Sequence, residues 1–211
     1  MPVTAKICGL NSPQTVEAAL VGGASHIGLV FYPNSPRFVT IPVAAELSRQ
    51  AAGHTVRVGL FVDAGDPVIR DVLDGVDLDL LQLHGSESPT RVADVRARFR
   101  LPVMKAIRVR GAEDVRNADA YSDVADWLLF DAKVPGGLPG GNAVAFDWSL
   151  LSGRQWPSPW MLSGGLNAAN VGDAVHLTGA KVVDVSSGVE SRRGQKDPAL
   201  VRGFLKQVGC L

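Results

Sequence analysis

Eight short runs of continuous apolar residues, each followed by a longer amphipathic stretch, restrict what this chain can become more than any other feature. The runs lie near 3–8, 26–31, 55–62, 78–83, 102–107, 127–131, 159–163 and 181–186. They are apolar throughout rather than alternating, the pattern of strands covered on both faces and hence of a parallel sheet. Helical patterns follow near 12–22, 42–52, 66–75, 88–98, 111–119, 147–153, 167–176 and 197–208. Ser12, Ser88 and Asp197 each precede a proline. That order puts a side-chain acceptor at the N-cap and a residue without an N–H at the first helical position. Eight such units with no break in composition predict an α/β chain folded as a single-domain (β/α)8 TIM barrel over residues 1–211. Such barrels average about 250 residues, so this one carries few insertions. An open doubly wound sheet is the structural rival. Against it, Cys8-Gly9-Leu10-Asn11-Ser12 after the first run lacks the G-x-G-x-x-G turn of a dinucleotide fold.

Charge and composition narrow the partners. With 21 basic and 21 acidic residues the chain has no net charge, so the basic footprint of a nucleic-acid or anionic-membrane binder is missing. No apolar run approaches the roughly 18 residues of a membrane span, and no signal peptide is visible, so a cytoplasmic location is expected. Cys8 and Cys210 do not make a disulfide framework. In a barrel they fall at opposite ends, and Cys8 is expected as a free thiol. The few His and Cys residues show no metal-ligand spacing, so neither a metal nor another cofactor is expected.

Barrel active sites lie at the carboxyl ends of the strands. Cys8 ends the first run and Asp131 the sixth, which places a thiol and a carboxyl at one mouth as a base and an acid for proton transfer. Gly164-Gly165 follows the seventh run and Ser186-Ser187-Gly188 the eighth. Loops at these two positions commonly hold a phosphate against backbone N–H groups. Arg37, after Asn34-Ser35-Pro36, could clamp a carboxylate through two parallel hydrogen bonds, or be an ordinary surface arginine. Gln82 and His84 share a face at the end of the fourth run, where His84 serves as acid, base or structural histidine. Lys6 shares a face with Cys8 and is expected to pair with Asp184 in a structural role. Residues 133–142 are long for a βα loop and read as a flap over the site.

Taken in order, these segments resemble one family over nearly the whole chain. Lys6-Ile7-Cys8-Gly9, Ser35-Pro36-Arg37, Gln82-Leu83-His84-Gly85, Asp131-Ala132-Lys133-Val134-Pro135-Gly136, Phe146-Asp147-Trp148, Ser163-Gly164-Gly165-Leu166 and Val183-Asp184-Val185-Ser186-Ser187-Gly188-Val189-Glu190 look like phosphoribosylanthranilate isomerases. The resemblance implies an Amadori rearrangement in tryptophan biosynthesis, with Asp131 as the acid that opens the furanose ring and Cys8 as the base at C2. It implies that Arg37 holds the anthranilate carboxylate, that the loops after strands seven and eight hold the phosphate, and that Asp184 and His84 lie near the substrate. The implied partner is this phosphosugar–anthranilate substrate alone, with the chain a monomer or weak homodimer. On this reading nearby positive charge lowers the Cys8 pKa from about 8.5, while burial raises that of Asp131. Two rivals remain. An indoleglycerol-phosphate-synthase-like lyase would need lysines at the strand ends, and a non-enzymatic protein would use Cys8 as a redox sensor.

Overall fold

The apolar runs become eight parallel strands that close on themselves. The structure, a computed structural model, describes residues 2–132 and 145–211. The strands are β1 (Thr4–Cys8), β2 (His26–Val30), β3 (Val56–Phe61), β4 (Leu80–Leu83), β5 (Val103–Val109), β6 (Trp127–Ala132), β7 (Trp160–Leu162) and β8 (Val182–Val185). β1 pairs with both β2 and β8, which shuts the barrel and removes the open-sheet alternative. The helices between them are α1 (Pro13–Val21), α2 (Ile41–Ala51), α3 (Asp66–Gly75), α4 (Pro89–Phe99), α5 (Ala112–Asn117), α6 (Val171–Thr178) and α7 (Pro198–Val208). A two-stranded antiparallel hairpin, β9 (Glu190–Arg192) and β10 (Gln195–Lys196), follows β8.

Strand alternation sorts the side chains into two compartments. Outward residues such as Ile7, Ile27, Leu29, Leu81, Val109 and Leu162 are buried against the helices. Inward residues Val58, Leu80, Met104, Ala106, Leu129 and Met161 fill the barrel interior as a separate apolar plug. Further along the same inward faces the residues become polar: Lys6 on β1, Gln82 on β4 and Asp184 on β8 are all buried. The plug closes one end, so the reactive groups gather at the other.

Among the described residues, five helices carry proline in their first turn, at Pro13, Pro42, Pro67, Pro89 and Pro198. Two of the three expected caps form. Ser88 Oγ accepts from Arg91 N at 3.2 Å, and Asp197 Oδ1 accepts from Ala199 N and Leu200 N. Ser12 instead pairs its hydroxyl with Thr15 Oγ1 at 2.9 Å. The helix expected near 147–153 is a single 3-10 turn, Trp148–Leu151. Asp147 caps it through Ser149 N, and Gly153 at φ 70° follows, so the chain turns away after one turn. α6 starts at 171 rather than 167, because Asn167 Oδ1 accepts from Ala169 N and Asn170 N and holds a turn there. The expected flap, 133–142, lies outside the described residues.

Candidate active site

Cys8, Arg37, His84, Asp131, Ser163, Asp184 and Ser186 line one cavity at the carboxyl end of the barrel, together with Tyr32, Ser35, Val30 and Leu60. Strand geometry explains the convergence. β1, β4, β6 and β8 each present an inward side chain at their last turn, so residues distant in sequence share one mouth.

Cys8 is a free thiol, as expected, and is buried. Lys6, two residues earlier, donates to Asp184 Oδ1 at 2.7 Å, in register across the β1–β8 pair. Asp184 Oδ2 accepts from Ser163 Oγ at 2.8 Å. The Lys6 charge also acts on the Cys8 thiol. A Cβ on Gly28 of β2 would lie 3.0 Å from Cys8 Sγ and 3.3 Å from Lys6 Nζ, so any larger residue there would press on that pair. The expected depression of the Cys8 pKa is not found. Burial pushes the thiol up, the charges of Lys6 and Lys196 offset this only in part, and Asp184 adds to the rise. Lys6 itself is raised: burial works against its charge, but Asp184 and Cys8 outweigh it.

Asp131 is 4% exposed. Its Oδ1 accepts from Ala132 N at 2.9 Å, and its Oδ2 lies 3.2 Å from His84 Nε2. His84 Nδ1 in turn lies 2.9 Å from Gln82 Nε2. Gln82, His84 and Asp131 thus form a buried row of polar side chains. His84 therefore bridges Gln82 and Asp131 at the mouth.

Arg37 is not a surface arginine; it is 5% exposed and reaches the cavity. Its two parallel hydrogen bonds go to an internal carboxylate: Nε to Glu190 Oε1 at 2.7 Å and Nη2 to Glu190 Oε2 at 2.9 Å. Glu190 and Lys196 had no role in the sequence reading. Glu190 lay inside a recognisable motif, but Lys196 is brought to the site by a hairpin of two very short strands, for which the sequence carries no periodic signal.

The proposed phosphate loops behave differently from the residues above. Gly164 and Gly165 have φ of 87° and 69°, and a Cβ on Gly164 would lie 2.8 Å from Ala132 N. The Gly164 backbone therefore packs against the end of β6. A Cβ on Gly188 would meet Leu166 O, which presses the loop after β8 against the loop after β7. Ser186 lines the cavity, yet its hydroxyl donates to Cys8 O at 3.1 Å and accepts from Lys196 Nζ at 3.1 Å. Ser187 opens a short 3-10 turn, Ser187–Val189. Among the described residues no group of three His, Cys, Asp or Glu side chains could hold a metal ion. No helix among them is long and apolar enough to cross a membrane.

A closed parallel barrel with buried ionisable groups gathered at its carboxyl mouth has the plan of the (β/α)8 barrel enzymes. Within that class the match is specific. Residues 5–207 fit the family described as N-(5'phosphoribosyl)anthranilate (PRA) isomerase. N-(5'-phosphoribosyl)anthranilate isomerase from Rhodospirillum centenum is 58% identical over 100% of both chains, and that from Paramagnetospirillum magneticum 55% identical over 98% of this chain and 97% of the relative. The crystal structure of phosphoribosyl anthranilate isomerase from Thermotoga maritima has a TM-score of 0.89 at 34% identity, covering 99% of this chain and 100% of that one. A further isomerase structure, in complex with reduced 1-(o-carboxyphenylamino)-1-deoxyribulose 5-phosphate, has a TM-score of 0.83 at 32% identity over 99% and 100% of the two chains. The chain belongs to the N-(5'-phosphoribosyl)anthranilate isomerase family, and the lyase alternative falls.

Proposed function

We propose that this mouth converts N-(5'-phosphoribosyl)anthranilate to 1-(2-carboxyphenylamino)-1-deoxyribulose 5-phosphate, an aldose–ketose Amadori isomerisation of tryptophan biosynthesis, with Asp131 as acid and Cys8 as base. The observation that carries this reading is the convergence of Cys8 and Asp131, from β1 and β6, on one cavity that Arg37, His84 and Asp184 also line.

Asp131 gives a proton to the furanose ring oxygen, and the anthranilate nitrogen supplies the electron pair that opens the ring to an iminium ion. Cys8 as thiolate takes the proton from C2, and the resulting enolamine relaxes to the ketone. Lys6 supports the thiolate as the adjacent cation, while Asp184 and Ser163 hold Lys6 in place. His84, braced by Gln82, orients the Asp131 carboxyl. Arg37 binds the anthranilate carboxylate. The backbone after β7 and β8, at Gly164, Gly165, Ser187 and Gly188, with Ser186 beside it, binds the phosphate. A redox-sensing Cys8 fits less well, because a sensor thiol needs solvent access and Cys8 is buried.

Purified protein should isomerise N-(5'-phosphoribosyl)anthranilate and keep that activity after dialysis against a strong chelator. No product, or activity restored only by added divalent metal, would sink the mechanism. Arg37→Ala should weaken substrate binding by about 1.5–3 kcal/mol, the worth of a charge-assisted hydrogen bond. An unchanged KM would remove Arg37 from the binding site.

A further inference from the structure

We propose that the Glu190–Lys196 pair, carried on the β9–β10 hairpin, is a positioning device that fixes the Arg37 guanidinium at the mouth of the barrel and so sets the preference for a substrate bearing an aryl carboxylate. The proposal rests on the reading that Arg37 meets that carboxylate.

Glu190 is built as a hub, not as a ligand. Its Oε1 accepts from Arg37 Nε at 2.7 Å and Lys196 Nζ at 2.6 Å; its Oε2 accepts from Arg37 Nη2 at 2.9 Å and Gly194 N at 3.0 Å. Four donors fill the acceptor capacity of a carboxylate. The two bonds from Arg37 are parallel, so the carboxylate plane dictates the plane of the guanidinium. Burial pushes the Glu190 carboxyl up, but the hydrogen bonds and charges of Arg37 and Lys196 hold it below its ordinary value, so the hub stays charged at neutral pH.

The hub is tied down on both sides. Lys196, 4% exposed, donates to Ser186 O and Oγ as well as to Glu190, and Ser186 Oγ donates onward to the Cys8 carbonyl. Asn11 Nδ2 donates to Gly194 O at 3.0 Å, anchoring the hairpin turn to the loop after β1. The Arg37 stem lies on Gly9, where a Cβ would come 2.6 Å from Arg37 Cδ. Hairpin, guanidinium and the Cys8 segment are therefore one connected unit. One carboxylate between two cations leaves the cluster with an excess of one positive charge beside the cavity. An anionic ring substituent suits that charge, and a neutral ring does not.

Position and charge make opposite predictions for Glu190→Gln. Removing the anion raises the positive charge of the cluster, which by charge alone would tighten binding of a carboxylate. It also breaks the paired hydrogen bonds, which by position weakens it. The measurement is the dissociation constant of reduced 1-(o-carboxyphenylamino)-1-deoxyribulose 5-phosphate and of its phenyl counterpart without the carboxylate, for wild type, Glu190→Gln, Glu190→Asp and Arg37→Ala. Glu190→Asp keeps the charge but is one methylene shorter, and it decides the matter if the glutamine variant does not fold. We expect either Glu190 variant to bind the carboxylate ligand about 10-fold more weakly, roughly the loss of one well-placed hydrogen bond. The phenyl ligand should bind as in wild type. Tighter or unchanged binding of the carboxylate ligand, or equal weakening of both ligands, would overturn the positioning role. If Arg37→Ala also weakens both ligands equally, the carboxylate assignment of Arg37 fails first and the proposal falls with it.

Discussion

Cys8 is asked to act as a base from a position that disfavours its charge. Burial raises its pKa, and Lys6 and Lys196 recover only part of the difference. If Cys8 is the base as proposed, the thiolate is the active form, and kcat/KM should still be climbing with pH between about 6 and 8 rather than levelling near neutrality. A plateau from pH 6 upward would mean that the reactive form is already complete there, and that the thiol does not govern the rate. Gly28 tests the same arrangement sterically. Gly28→Ala places a methyl 3.0 Å from Sγ and 3.3 Å from Lys6 Nζ, so one of the two must move. We expect kcat to fall by about 10- to 100-fold, the scale of a misplaced reacting group. Wild-type turnover in a folded Gly28→Ala protein would show that the Lys6–Cys8 contact is dispensable.

Elements deliver these residues with unequal clarity in the sequence. β1, β4, β6 and β8 were legible because a fully buried strand leaves a continuous apolar run, and each run ends where its reactive side chain stands. The short turn at Trp148–Leu151 was not, because Asp147 and Gly153 confine a helix-like pattern to one turn. The β9–β10 hairpin was not, since two and three residues carry no period. The loop after β4 hides a comparable device. Glu87 accepts from Asp63 N, Gly85 N and Lys105 Nζ, the last at 2.8 Å, and so pins the segment that follows His84. Both charged side chains are 3% exposed. Burial lowers the Lys105 pKa, and the Glu87 carboxylate offsets this only in part. Glu87→Ala should therefore cost about 3–5 kcal/mol in urea unfolding, the penalty of stranding one partner of a buried ion pair. A loss below about 1 kcal/mol, the value of an exposed pair, would contradict that account.

At the scale of the whole barrel, the interior makes acid its weakness. His26, on β2, is 7% exposed and stands edge-on to Trp127 of β6 at 5.7 Å between ring centroids. Burial, then the charge of Lys6, lowers its pKa from 6.5 to about 4, with Asp184 opposing. Between those values the unfolded chain takes up a proton that the folded chain refuses. Stability from this group is complete above about pH 6.5 and falls as pH drops toward 4, by roughly 3 kcal/mol in all. Urea unfolding at pH 7.5 and 4.5 should show a smaller acid loss in His26→Asn than in wild type; equal losses would assign the acid sensitivity elsewhere. The closed barrel, and the meeting of Cys8 and Asp131 at one mouth, could be read in advance, because eight repeated units admit few topologies. The partners of Arg37 could not, because they depend on where a hairpin folds back. What the barrel accomplishes as a whole is to bring the ends of β1 and β6 to one cavity, and the pair Cys8 and Asp131 is tested most directly by single-turnover kinetics on Cys8→Ser and Asp131→Asn. Each variant should bind the reduced product analogue as wild type does and lose at least about 100-fold in kcat. Near wild-type turnover in either one would contradict the assignment of base or acid.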